Sequence, residues 1–138
     1  MSALEDQLLL QIKAAGLPIP EREWLLHDRL GYRLDFAWWQ ERLAVEVDGA
    51  TWAGGRHNRG GGYEADRRKL NFAALLGWRV LGFTRSMIES GEALLAIEAA
   101  LGRCSVADAI MRRVGEIAHA RSQGGKRAWE ARRARAER

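Results

Sequence analysis

Cysteine and long apolar runs are scarce in this chain of 138 residues. Cys104 is the only cysteine, which excludes an internal disulfide framework and a cysteine-rich zinc site and fits a reducing compartment. No apolar run approaches the ~18 residues of a transmembrane helix, and the start at Met1–Asp6 lacks the basic region of a signal peptide. We therefore expect a soluble cytoplasmic protein, in a bacterium or a phage-infected cell, that makes no use of a membrane.

The positive charge is concentrated at one end of the chain. Residues 103–138 carry ten Arg and Lys against four Asp and Glu, a net charge of +6, whereas the first 102 residues carry 12 and 14, a net charge of −2. The overall 47% hydrophobic and 29% charged residues are ordinary for a chain that folds. The basic end predicts a polyanionic partner, with nucleic acid foremost, and an anionic membrane or plain solubility as the alternatives.

Hydrophobic periodicity predicts an α/β domain over residues 1–102. A capping box at Ser2–Glu5 precedes a helix, and the alternation of apolar and polar residues predicts an antiparallel hairpin, with Leu34, Phe36 and Trp38 on one face. The predicted elements are a helix over Leu4–Ala15, strands over Trp24–His27, Tyr32–Trp38 and Leu43–Asp48, a helix over Tyr63–Leu76 with Gly77 as its C-cap, a strand over Trp78–Thr84 and a helix over Ile88–Leu101. This order favours a small mixed sheet flanked by helices.

Residues 103–138 are predicted to form a helical, basic tail. Apolar residues from Val106 to Ala118 form one helical stripe, which packs either on the domain or on a second copy of the chain; the sequence leaves both open. Gly124 and Gly125 are expected to interrupt the tail before a basic helix or a disordered arm. The tail is therefore a candidate for DNA binding and for dimer formation.

Three carboxylates converge on the predicted hairpin. Asp35 on one strand and Glu46 and Asp48 on the next project from the face opposite to the apolar one. Neighbouring carboxylates repel each other, so such a cluster favours a bound cation, and oxygen ligands select Mg²⁺, with Mn²⁺ as a substitute. The alternative is that Asp48 belongs to a turn while Asp35 and Glu46 lie on a solvated sheet face.

These residues resemble the PD-(D/E)XK nuclease superfamily over roughly residues 1–101. The resemblance implies that Glu5 is the acid of the first helix, Asp35 the aspartate of the first motif and Glu46 the glutamate of the second. The stretches 32–36, 45–49 and 66–80 look like those of small bacterial and phage nucleases related to very-short-patch repair endonucleases. The spacing from Glu5 through Asp35 to Glu46 is also similar to that of archaeal-type Holliday junction resolvases.

One position departs from the superfamily pattern. The superfamily usually has lysine two residues after the glutamate, where this chain has Asp48. Lys69 is the only lysine between Lys13 and Lys126, and two interpretations of it stay open: it has taken over the missing lysine's role, or it is an exposed partner of Asp66. Asp48 could instead hold a second metal or a metal-bound water.

Further candidate residues lie in the glycine-rich stretch 49–62, a predicted mobile loop, and in the tail. His57 is a candidate general base or phosphate contact, with an exposed loop histidine as the alternative, and Arg56 and Arg59 are candidates for gripping the DNA backbone. The tail adds four candidate DNA contacts, namely Lys126, Arg127, Arg132 and Arg133.

The resemblance implies a restriction-endonuclease-like fold and a Mg²⁺-dependent DNA endonuclease that hydrolyses phosphodiester bonds. Branched DNA is the expected substrate, with a homodimeric Holliday junction resolvase as the leading prediction. A mismatch or strand-nicking repair endonuclease and a non-catalytic DNA-binding protein on a nuclease scaffold are the alternatives.

Overall fold

A four-stranded sheet with helices on both faces forms the domain. The computed structural model describes residues 2–49, 61–105, 123–127, 130 and 133–134. The elements are α1 (Ala3–Ala14), β1 (Glu21–His27), β2 (Tyr32–Trp38), β3 (Leu43–Asp48), α2 (Gly61–Leu75), β4 (Arg79–Thr84), α3 (Arg85–Glu89) and α4 (Glu92–Ala100). The predicted α/β architecture is confirmed, β2 and β3 have their predicted bounds, and β1 begins three residues earlier than predicted.

The sheet is mixed, and its strands follow each other in chain order. β1 pairs with β2 and β2 with β3 in antiparallel fashion, which confirms the predicted hairpin, whereas β3 and β4 are parallel. A parallel neighbour needs a crossover, and α2 lies within the connection from β3 to β4. Among the described strands β4 lies at the edge of the sheet, and it runs alongside the predicted site residues of β3.

Each face of the sheet carries its own apolar core. On one face α1, α3 and α4 cover a cluster whose centre includes Leu8, Phe36 and Ile97, all fully buried. On the other face α2 covers a smaller cluster that includes Ala44 and Ala73. Burying one large aliphatic or aromatic side chain contributes about 1.5–3 kcal/mol, so the larger cluster dominates the stability of the sheet.

At one point in β1 and β2 the alternation of side chains between the two faces of the sheet is interrupted. The predicted regular alternation along β2 is wrong at that point. Leu34 packs in the α2 core, whereas Phe36 and Trp38 pack in the opposite core. β1 behaves in the same way, since the Arg22 guanidinium lies 5.5 Å from the Phe36 ring centre while Trp24 packs in the α2 core. The reversal is centred on Asp35 and on Glu23, a non-glycine residue with a φ of 51°.

The predicted helix over Ile88–Leu101 is two helices. α3 ends at Glu89 and α4 starts at Glu92, because Gly91 adopts a φ of 84° in the left-handed region that only glycine occupies without strain. The expected role of Gly77 at the end of α2 is consistent with its φ of 83°. The single-helix prediction failed because Ile88 and the apolar residues of α4 share one buried stripe that continues across the break.

Only short parts of the tail are described: residues 103–105 are not helical, whereas 123–127, 130 and 133–134 are. The helical stretch 123–127 includes Gly124 and Gly125, so the predicted interruption at these two glycines is wrong. The predicted apolar stripe from Val106 to Ala118 lies outside the described residues. Among the helices that are described, none has the length and apolarity needed to cross a membrane.

Candidate functional site

Asp35 lies where the backbone pairing of β2 and β3 ends. The last paired positions are Phe36 and Val45, and one residue further the Asp35 carboxylate replaces the backbone as acceptor. Its Oδ2 accepts a hydrogen bond of 2.7 Å from the backbone N–H of Val47. The face reversal of β2 thus ties the Asp35 carboxylate to β3, directly beside Glu46.

Lys69 lies against Glu46. Ala73, one turn further along α2, is buried in the core under this helix, which turns Lys69 toward the sheet. The Lys69 Nζ is 2.6 Å from Oε2 of Glu46 and donates a second hydrogen bond of 3.1 Å to the backbone carbonyl of Arg33. The two side chains of the ion pair are only 18% and 23% exposed. The structure therefore places Lys69 on Glu46 and not, as the second interpretation had it, in an exposed pair with Asp66.

The surroundings of Asp35 and Glu46 disfavour the ionised form of both carboxyl groups. Burial raises the pKa of Asp35 above its ordinary value, the Val47 hydrogen bond opposes this rise, and the charge of Glu5 adds to it. Burial also raises the pKa of Glu46, against the hydrogen bond from Lys69, and the charge of Asp35 adds to the rise. One cation, Lys69, therefore compensates two neighbouring carboxylates only in part.

The two carboxylates at this point of the sheet are of the chemical type that a hard divalent cation prefers. The Oε1 atom of Glu46 is buried and accepts no hydrogen bond of ordinary length and angle within the described part of the chain, although the nearby Asp35 backbone N–H lowers the pKa of this carboxyl group. A bound cation would satisfy this oxygen and favour the ionised form of both carboxyl groups. Among the described residues, no three His, Cys, Asp or Glu side chains are grouped so as to hold a metal ion. The fit thus rests on Asp35 and Glu46.

The other predicted metal ligands, Asp48 and Glu5, are placed differently. Asp48 is exposed at the end of β3, beside Thr84 of β4. Glu5 caps α1: its carboxylate accepts from the Ser2 backbone at 3.2 Å, which confirms the capping box, and it pairs with Arg22 at 3.4 Å. Since its charge still raises the pKa of Asp35, Glu5 lies near the site, and its role as a ligand stays a prediction.

Sequence reasoning missed two charged residues of β1. The charge of Glu23 also raises the pKa of Asp35, and the Glu23 carbonyl accepts a hydrogen bond of 3.3 Å from the Arg33 guanidinium. Arg22 pairs with Glu5 and, at 3.0 Å, with Asp6. No sequence signal marks either residue, because the predicted strand began only at Trp24 and no pattern indicates a left-handed glutamate.

Several predicted nucleic-acid contacts cannot be placed. His57, Arg56, Arg59 and Arg132 lie outside the described residues. Lys126 and Arg127 lie in the helical stretch 123–127 and are exposed, and Arg133 is helical and exposed as well. The roles of all these residues remain predictions.

Comparison with known proteins gives two curated relatives from Mycobacterium tuberculosis, Uncharacterized protein MT2308 of strain CDC 1551 / Oshkosh and Uncharacterized protein Rv2248 of strain ATCC 25618 / H37Rv. Each is 36% identical to this chain over an alignment of 84 positions, which covers 58% of this chain and 29% of the relative. The chain thus spans less than a third of the length of these relatives, and neither name states an activity. No protein-family model and no solved structure matches the chain.

Proposed function

We propose that this chain is a Mg²⁺-dependent DNA endonuclease of the PD-(D/E)XK type, with Asp35, Glu46 and Lys69 as its catalytic residues. One observation carries the proposal: the Lys69 Nζ lies 2.6 Å from the Glu46 carboxylate. This contact supplies a cation beside the glutamate from a neighbouring helix, although the position two residues after Glu46 is an aspartate. It favours an active enzyme over a non-catalytic protein on the same scaffold.

The residues divide the work of phosphodiester hydrolysis among them. Asp35 and Glu46 would hold Mg²⁺, or Mn²⁺ in its place, and the metal when bound supplies Lewis-acid activation of water and of the phosphate. The Val47 N–H fixes the orientation of the Asp35 carboxylate. Lys69 brings an ammonium group to the same point, where it stabilises negative charge that develops on the phosphate oxygens.

The finer proposal is that the enzyme acts on branched DNA, as a homodimeric Holliday junction resolvase. It depends on the resemblance in the spacing of Glu5, Asp35 and Glu46 and on the basic tail. A mismatch or strand-nicking repair endonuclease, acting on duplex DNA, shares the same catalytic residues and is the alternative outcome.

The test is cleavage of a labelled four-way junction beside a linear duplex of the same sequence, with Mg²⁺ or with EDTA. We expect paired nicks in the junction with Mg²⁺, no cleavage with EDTA and none by the Glu46→Gln variant. Cleavage of both substrates would assign a duplex repair activity, whereas Mg²⁺-independent binding with no cleavage of either would contradict the endonuclease proposal.

A further inference from the structure

Gly82 lies beside Glu46 on the neighbouring strand. The parallel register of β3 and β4 pairs Ala44 with Val80 and Glu46 with Gly82. Paired residues of parallel strands project to the same face, and the strands lie about 4.8 Å apart. Gly82 therefore forms the floor next to the Glu46 side chain, on the face that α2 covers further along the strand.

The fold itself does not require glycine at this position. The φ of Gly82 lies outside the left-handed region, and a Cβ built there meets no atom of the described residues within 4 Å. A glycine inside a strand weakens the strand and often marks a place where a ligand or another backbone approaches closely. The internal packing of the domain thus leaves Gly82 without an explanation.

Among the described residues, the two sides of Glu46 differ: Lys69 lies on the side of β2, and the exposed Gly82 lies on the side of β4. Toward β2, Lys69 spans the gap with its hydrogen bonds to Glu46 and to the Arg33 carbonyl. Toward β4, Val80 packs in the core under α2, but Gly82 is exposed, and β4 is the edge of the sheet. Within the described part of the chain, the side of Gly82 is therefore the less obstructed side of Glu46.

We propose that position 82 has no side chain so that the sugar–phosphate backbone of DNA can approach Glu46 and Lys69 over the edge strand β4. This inference deepens the proposed endonuclease function and rests on it. It adds a direction of approach for the substrate, and it assigns a role to a residue that carries no chemical group.

The test adds side chains at Gly82 and compares stability with function. In Gly82→Val, a β-branched residue on an exposed strand position leaves the melting temperature unchanged or raises it. DNA affinity in EDTA and the Mg²⁺-dependent cleavage rate should both fall, the rate on the order of 100-fold, because the substrate backbone is displaced from the catalytic groups. Gly82→Ala should show the same effects to a smaller extent.

The matched control is Ala14→Val, which adds bulk at another exposed residue, at the end of α1 and on the face of the sheet opposite to Glu46. It should bind and cleave DNA as the wild type does. Wild-type affinity and rate in Gly82→Val would overturn this inference while the endonuclease proposal stands, and so would a loss of function matched by a lower melting temperature. A wild-type chain that neither binds nor cleaves DNA would overturn the proposed function, and this inference with it.

Discussion

Asp35 and Glu46 are two carboxylates that weaken the fold they belong to. Both are partly buried, both have a raised pKa, and the charge of Asp35 adds to the rise at Glu46. Polar groups whose ionisation disfavours the folded state are typical of functional sites. These two carboxylates should therefore measurably lower the free energy of unfolding of the metal-free protein.

Replacement of Asp35 by Asn should stabilise the metal-free protein at neutral pH. Asn keeps an oxygen that accepts the Val47 hydrogen bond but carries no charge. The pKa of Asp35 is raised in the folded state, so the folded state binds more protons than the unfolded state. The free energy of unfolding of the wild type therefore falls as the pH rises from the ordinary carboxyl pKa to the raised pKa of Asp35. The advantage of Asp35→Asn should thus be absent in acid and complete above the raised pKa.

The measurement is urea unfolding of wild type and Asp35→Asn in EDTA from pH 4 to pH 8. A difference in the free energy of unfolding that grows with pH supports the account. A variant less stable than the wild type at pH 8 would contradict it.

The single residues of the site differ in how far the sequence predicted them. Asp35 and Glu46 followed from alternation and from the resemblance to nucleases, since both lie in strands with clear local patterns. Lys69 was singled out because it is the only lysine between Lys13 and Lys126 and lies on the helix expected to pack beside the hairpin. Its contact with Glu46 depends on how α2 packs across the sheet. Glu23 was not predicted, because no sequence pattern indicated its left-handed backbone conformation.

At the scale of elements, the reversal of faces at Glu23 and Asp35 organises the site. It sends Leu34 and Phe36 into different cores and frees the Asp35 carboxylate to bind the backbone of β3. A left-handed conformation at a non-glycine residue costs about 1–2 kcal/mol. The strand pair therefore carries local strain at the point where the two carboxylates meet.

Replacement of Glu23 by Gly should relieve that strain. The variant should raise the free energy of unfolding by roughly 0.5–1 kcal/mol, because glycine adopts the left-handed conformation without a steric penalty and loses part of the gain to its own chain entropy. The matched control is Glu21→Gly in the same strand, where φ is not positive and the same change should lower the free energy of unfolding by about 0.5–1 kcal/mol. Urea unfolding of both variants measures the two effects, and equal signs would argue against the strained conformation.

Element boundaries were predictable where one residue type controls them. β2 and β3 follow from their alternation, and the capping box at Ser2 and Glu5 fixed the start of α1 within one residue. The break between α3 and α4 was missed although Gly91 lies there, because the apolar stripe continues across it. At Gly124 and Gly125 the error was the opposite one, because a break was predicted where the chain is helical. Glycine lowers the stability of a helix by only about 1 kcal/mol and does not by itself end one.

At the scale of the whole molecule, charge is divided between two parts of the chain. Residues 1–102 have a net charge of −2 and contain the candidate site, and residues 103–138 have a net charge of +6. An acidic cluster attracts metal ions but repels DNA. A basic tail on the same chain offsets that repulsion and raises the affinity for a polyanion.

The tail should therefore control the salt dependence of DNA binding. Replacing Lys126, Arg127, Arg132 and Arg133 by Gln should weaken binding and reduce the slope of log affinity against log salt by roughly one for each phosphate that is no longer neutralised. Fluorescence anisotropy of the full chain on labelled DNA, measured across salt concentrations in EDTA, gives both quantities. An unchanged slope would show that these residues do not bind phosphates.

The central claim is that Lys69 and Glu46 act together in phosphodiester hydrolysis. The most direct measurement is single-turnover cleavage of the labelled junction in Mg²⁺ by the wild type, Lys69→Ala and Arg68→Ala. Arg68 is the adjacent residue on α2, exposed and paired with Glu64, so its replacement should leave the rate unchanged. Replacement of Lys69 removes the cation that pairs with Glu46 and should slow cleavage by about 10²–10³-fold, with the melting temperature of each variant recorded to ensure that folded proteins are compared. Equal rates in the folded Lys69→Ala variant and the wild type would contradict the account.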